Sequence, residues 1–346
     1  MRVYLDHNAT TPLRPEAKRA MVEAFEVSGN PSSVHAEGRA AKSLLEKARQ
    51  DIATSFGADG AEVVFTSSAT EAAALALQGR DLHGSNIEHD AVSSWIKSDI
   101  STSRDGEVSV KDPAKSCLQL ANSETGILQS LPNGLAVSDM TQAFGKLPVA
   151  FNWLGADIAL ISAHKLGGPK GIGALVMRRG IDLTAQMRGG GQEMGRRAGT
   201  ENIIGAAGFA AAAKAAVQDL ETGVWKRVEK LRDLLETTLA NADSETIFVG
   251  KDAKRLPNTS CIATPGWKGE TQVMQMDLAG YAISAGSACS SGKVKSSKVL
   301  AAMGYDAITA SSAIRVSLGP ETTEQDVLGF AAKWLSQKEK FRARAA

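Results

Sequence analysis

The chain has 346 residues, 43% hydrophobic and 22% charged, the make-up of a folded protein with a sizeable core. Its formal net charge of +1 offers no overall field to nucleic acid or a membrane surface. Three cysteines, Cys117, Cys261 and Cys289, form no CxxC pair, so neither a disulfide framework nor a metal site is expected.

Residues 1–11 include Asp6 and lack the apolar centre of a signal peptide. No run of about 18 uncharged apolar residues is present to cross a bilayer. A reducing cytoplasm is therefore expected, where a reactive thiol survives. From about residue 30 to 240, short apolar runs alternate with helical patterns. Apolar residues Ala41, Leu44, Leu45, Ala48, Ile52 and Phe56 recur at three- and four-residue steps, and Gly57 stops that helix. Strands are expected at 62–66, 117–120, 157–161 and 173–177, buried as in a mainly parallel sheet. Residues 205–239, rich in Ala and Leu, predict one or two long helices. Beyond 240 the texture changes to a smaller α+β unit. Strands are expected at 258–263 and 314–318, helices at 271–278 and 323–338, and a Gly/Ser loop at 284–297. The basic tail from Lys338 to Arg344 predicts a solvated helix end.

Five stretches carry candidate chemistry. In Ser162-Ala163-His164-Lys165-Leu166-Gly167-Gly168, a lysine follows a strand end at once, where open α/β sheets bind ligands. Such a lysine can join a carbonyl group, or be an exposed turn residue. In Thr66-Ser67-Ser68-Ala69-Thr70-Glu71, a strand feeds a helix through small hydroxyl residues. That suits a phosphate, or equally a capping box closed by Glu71. Asp139 and Gln142 can face a ring nitrogen and a ring oxygen, or cap a helix. His89 can stack on an aromatic ring and pass a proton, or be structural. Cys289 lies among Ser, Ala and Gly, unlike a core cysteine, whereas Cys117 and Cys261 sit in apolar strands and read as packing residues.

Taken in order, these stretches resemble the cysteine desulfurases of the class V aminotransferase family. The resemblance extends through Tyr4-Leu5-Asp6-His7-Asn8-Ala9-Thr10-Thr11, Asn30-Pro31-Ser32-Ser33-Val34-His35, Gly38-Arg39 and Glu88-His89. It continues in Asn122-Ser123-Glu124-Thr125-Gly126, Asp139-Met140-Thr141-Gln142, Arg197-Ala198-Gly199-Thr200 and Ser312-Ala313-Ile314-Arg315. The long loop around Cys289 is similar to that of the iron–sulfur-assembly branch.

The resemblance implies the α/β architecture called PLP fold-type I. That is a mainly parallel seven-stranded sheet flanked by helices in a large domain, 13–245, with a smaller α+β domain made of 1–12 and 246–346. It implies pyridoxal 5'-phosphate (PLP) as cofactor, joined to Lys165, with Asp139 on the ring nitrogen and Gln142 on the phenolic oxygen. His89 would stack on the ring and act in catalysis. Ala69, Thr70, Ser162 and His164 would surround the phosphate, with Thr200 arriving from a second copy in a homodimer. Arg315 would clamp the carboxylate of L-cysteine, with Asn8 nearby, and Cys289 would receive the sulfur as a persulfide. An acceptor protein, an iron–sulfur scaffold or a tRNA-thiolation carrier, would then take the sulfur; no direct nucleic-acid or membrane partner is implied. Selenocysteine lyase, another class V reaction and a non-catalytic scaffold are the alternative readings.

The chain departs from the family pattern in three places. Ser68 stands where Gly is usual, and Ser123 where an Asn usually contacts the cofactor oxygen. The crossovers are short: 32 residues separate His89 from Asn122, and 14 separate Glu124 from Asp139. Leu131-Pro132-Asn133-Gly134 reads as a turn. Trimmed or missing outer helices are expected, leaving part of one sheet face thinly covered.

Overall fold

The computed structural model describes residues 2–286 and 296–345. A short strand, β1 (Val3–Tyr4), precedes α1 (Pro15–Phe25) and α2 (Ala36–Ser55). Pro15 occupies the first turn of α1, where a missing N–H costs nothing. The His35 ring caps α2 by accepting the Gly38 N–H. The helix ends at Gly57, whose φ of +57° admits glycine readily.

The large sheet contains β2 (Glu62–Thr66), β3 (His83–Ser85), β4 (Lys97–Ile100), β5 (Leu135–Asp139), β6 (Ala156–Ser162) and β7 (Gly173–Met177). The order β2-β7-β6-β5 continues through residues 116–120 to β3 and β4. Cys117 bridges to Val137, and Ser116 to His83. Seven strands thus lie side by side among the described residues, with only β7 antiparallel to its neighbours. This is the expected mainly parallel sheet.

Alternation along each strand splits the core into two layers. Ala159 and Ile161 of β6 face one side with Phe65, Val176 and residues of α2 and α5 (Ile203–Glu221). Ile158 and Leu160 face the other, with Leu175 and α3 (Ala69–Leu77). α5 is long and apolar enough to cross a bilayer by composition alone. Here it packs on α1 and α2, and its Lys214 and Asp219 pair with Asp51 and Arg14.

The shortened crossovers are seen as expected. Between His89 and Asn122 the described helical structure is α4 (Asp90–Ser93) and one 3-10 turn at 113–115. Between Glu124 and Asp139 there is none. Irregular chain replaces it: Val108, Val110, Leu128 and Leu131 pack on the core, each only partly buried.

The second core joins Leu5 to α6 (Val224–Ala242), α7 (Gly269–Leu278) and α10 (Glu324–Ala345), helices linked by Trp225, Leu235, Met276, Phe330 and Trp334. α6 shares this core, although a boundary at 245 would leave it with the large sheet. Gly223, at φ +78°, separates α5 from α6 and turns the chain from one core to the other. The second sheet runs β11 (Ser284–Ala285), β12 (Ala313–Ser317), β9 (Thr259–Ala263) and β8 (Ile247–Phe248), and β10 (Tyr281–Ala282) pairs with β1. Two short helices, α8 (Lys298–Ala302) and α9 (Ala307–Ser312), complete it. The tail departs from expectation in one respect: Lys338 is buried and pairs with the buried carboxylate of Asp243, so it is not solvated.

Candidate active site

The carboxyl ends of β2, β5, β6 and the 116–120 segment open on one cavity of about 360 Å3. Asn8, Ala69, Thr70, His89, Ser123, Asp139, Gln142, Ser162, His164, Lys165 and Arg315 all line it. Residues spread over more than 300 positions of sequence therefore meet at the sheet edge where such folds bind ligands. Thr200 is exposed and does not line the cavity of its own chain. Cys289 lies outside the described residues.

Lys165 ends a 3-10 turn after β6, and its Nζ donates to the carbonyls of Asn8 and Ala9 at 2.7 and 2.8 Å. His164 Nδ1 lies 3.2 Å from Thr10 Oγ1. Burial, with Lys165 and Lys170 nearby, lowers His164 to about 4, so its ring is neutral near pH 7. His89 caps α4 by accepting the Ala91 N–H on Nδ1, which puts the proton of the neutral ring on Nε2. Asp139, at the end of β5, accepts the Thr141 N–H at 2.9 Å. Arg315 on β12 pairs with Asp6 at 2.9 Å and donates to the Ser123 carbonyl at 3.0 Å; its Nε has no partner.

The 66–71 turn forms the capping box, and Ser68, Ala69 and Thr70 also line the cavity. Ser68 caps α3 by accepting the Glu71 N–H at 3.3 Å, and the Glu71 carboxylate accepts the Ser67 N–H at 2.7 Å. Ser68 has φ −172°, extended backbone that any residue adopts, so serine at this position introduces no strain. A Cβ on Gly173 would come within 2.7 Å of the Ser68 carbonyl carbon, so β7 and this turn touch through a glycine. At Ser123, the backbone carbonyl is the working atom, accepting from Arg315 and from Asn8 Nδ2.

Several groups were not singled out by the sequence. Gln119 lines the cavity, and Glu88, fully buried beside it, accepts the Gln119 N–H at 3.0 Å. Burial and the neighbouring Asp139 raise Glu88 to about 8, against that hydrogen bond. Lys146 sits behind Gln142 and Asn8. Each is an ordinary core or turn position by pattern, and only tertiary placement marks it. A larger cleft, about 860 Å3, lies near Arg49 and Glu193, but its main charges neutralise one another in an ion pair.

The cavity can be tested for a phosphate-bearing ring. Ser162 Oγ and Thr141 Oγ1 line it, are buried and have no hydrogen-bond partner. Buried hydroxyls seldom go unpaired, and Ser162 Oγ shares this cavity with Ala69 and Thr70 of the α3 N-terminus, which suits a phosphate ligand; Thr141 Oγ1 is a second unsatisfied group in the wall. Lys165, Asp139 and Gln142 on the other walls suit an aldehyde, a ring nitrogen and a ring oxygen.

The aminotransferase class-V family model matches residues 3–94 and 118–330. The chain belongs to that family. The residues between the two matched blocks, 95–117, fall in the shortened crossover. An IscS-like cysteine desulfurase of Mycobacterium tuberculosis is 36% identical over 94% of this chain and 93% of its own. Among solved structures, a NifS-like protein of Rickettsia africae aligns with a TM-score of 0.88 and 31% identity, covering 98% of this chain and all of its own. SspA in complex with cysteine aligns at 0.75 and 25% identity, covering 93% and 100%. Members of the class-V family are PLP enzymes.

Proposed function

We propose that this chain is a PLP-dependent cysteine desulfurase, turning L-cysteine into L-alanine and passing the sulfur to Cys289. One observation carries the reading: a single cavity holds Lys165, Asp139, Gln142 and Arg315 around the unpartnered hydroxyls of Ser162 and Thr141. PLP, when bound, supplies an electron sink for carbanion chemistry at the substrate Cα. Lys165 Nζ holds the cofactor and then moves the Cα proton. Asp139 keeps the ring nitrogen protonated, and Gln142 donates to the ring oxygen. Ala69, Thr70, Ser162 and the neutral His164 surround the phosphate, and Thr200 arrives from a second copy. His89 stacks on the ring.

Arg315 orients the substrate carboxylate through its planar fork, with Asn8 beside it. Ser284 of β11 pairs opposite Arg315, and Cys289 follows Ala285 by four residues, about 14 Å of extended chain at most. The Cys289 thiolate attacks the substrate sulfur. The new S–S bond forms as the substrate C–S bond breaks, giving a persulfide and alanine with no added oxidant. Burial holds the thiols of Cys117 and Cys261 protonated, so neither competes. An acceptor protein in the cytoplasm then removes the sulfur.

The test is a visible spectrum of the protein with PLP, before and after cysteine, with alanine measured alongside. A yellow band that cysteine shifts, lost in Lys165→Ala, with alanine made only while Cys289 is intact, is the expected result. Sedimentation should show a homodimer; a PLP-binding monomer would remove Thr200 from the site.

A further inference from the structure

Lys146 is the most deeply buried lysine whose chemistry the reading above leaves unused. It follows Gly145, whose φ of +80° turns the chain back so that the side chain runs under Gln142. Only 2% of it is exposed, and no carboxylate lies within ion-pair distance among the described residues. Its Nζ donates instead to two amide oxygens, Gln142 Oε1 at 2.7 Å and Asn8 Oδ1 at 3.1 Å. Asn258 Nδ2 also donates to Asn8 Oδ1, at 3.0 Å. With its oxygen so engaged, Asn8 turns Nδ2 toward Thr259 Oγ1 and the Ser123 carbonyl.

A carboxamide has a donor end and an acceptor end of nearly the same shape, so a neighbour must choose between them. A lysine offers N–H groups whether charged or not, and only the amide oxygen can accept them. Gln142 Nε2 is thereby turned outward, where it donates to the Asn8 carbonyl at 2.9 Å, the same carbonyl that accepts from Lys165. We propose that Lys146 is a positioning residue, fixing the Gln142 amide so that N–H groups rather than oxygen face the cofactor cavity. The proposal rests on the PLP reading of that cavity. It predicts that the ring oxygen meets a donor and is held as the anion. Burial and the nearby Lys165 and Arg315 push the Lys146 ammonium well below the usual range, and the contact survives loss of its charge because the neutral amine still donates.

The experiment is a double-mutant cycle on PLP binding, read by equilibrium dialysis and by the pH midpoint of the visible band. Lys146→Met should weaken PLP binding about tenfold when Gln142 is present and less than about twofold in Gln142→Ala. The midpoint should move up by about one pH unit in Lys146→Met. Equal losses in both backgrounds would overturn the proposal, because a merely structural lysine acts regardless of Gln142. Should Lys146→Met fail to fold, Lys146→Gln decides, since it keeps an N–H for Gln142. It should bind PLP within about threefold of wild type, and a loss as large as that of Gln142→Ala overturns the idea. A wild-type chain that binds no PLP removes the cofactor reading and this inference together; a wild-type chain that binds it, with an additive cycle, removes the inference alone.

Discussion

Around β2, β7 and β6 the sheet carries helices on both faces, with α2 and α5 on one side and α3 on the other. Beyond β5, residues 116–120, β3 and β4 are joined by chain with little helix, and Val108, Val110, Leu128 and Leu131 stay partly exposed. Yet Asp139, Gln119 and His89, all on this lightly covered flank, line the same cavity as Lys165 and Ser162. The strand ends therefore bring these residues together even where little crossover helix covers the sheet. The gap in the family match, 95–117, falls on this same flank.

The largest effect tests that claim directly. Lys165→Ala should lower alanine formation by at least about a thousandfold, since the cofactor link and the proton carrier go together. Leu131→Ala, on the flank, should leave kcat/KM within about twofold. A large loss of activity in the flank variant would show that the outer chain does shape the site. Next in size is substrate binding. Arg315→Lys should raise KM for cysteine about tenfold, because an ammonium cannot match the bidentate fork, while PLP binding is retained. Loss of PLP along with cysteine affinity would mean that Arg315, tied to Asp6 and the Ser123 carbonyl, supports the cavity wall instead.

Stability sharpens the comparison further. Leu160 is fully buried between β6 and α3, so Leu160→Ala should cost about 2–5 kcal/mol. Leu131→Ala should cost about 1 kcal/mol, because the side chain is partly hydrated already. Urea unfolding midpoints compare the two. Equal costs would mean the irregular segment is as tightly packed as the helical side.

The sequence made the sheet side of this picture legible for physical reasons. Continuous apolar runs such as 158–161 and 174–177 have few alternatives to a buried strand, and Gly57 marks the end of α2 through its backbone conformation. Cavity residues that sit next to strand ends, Lys165, Asp139 and Thr70, could be found because position and residue type agree. Lys146 and Glu88 could not, since a polar residue in a short turn looks solvated until the tertiary fold closes over it; Gln119 could not, since its place in an expected strand does not say which wall it faces. Lys338 failed in the same way: a basic tail suggests solvent, and only Asp243 from α6's end shows why that lysine is buried.

Glu88 joins the two regions. It lies where the lightly covered flank meets the cavity, its carboxyl accepting the Gln119 N–H. Burial raises it to about 8 in the folded chain, against about 4.3 unfolded. The folded state therefore keeps a proton that the unfolded state releases across that window, and stability falls as pH rises through it. His7 and His164, lowered to about 4, act oppositely: the unfolded chain takes up their protons first, so stability falls as pH drops from about 6.5 toward 4. Comparing Glu88→Gln with wild type cancels the histidines, which both proteins share. Glutamine still accepts from Gln119 but never ionises. The Tm of Glu88→Gln should therefore gain on wild type as pH goes from 5 to 8, by a few degrees, and the gap should stop growing above about 8. Parallel Tm curves would mean that water reaches Glu88 through the thin flank and keeps its carboxyl ordinary. The missing helices would then matter to the site after all.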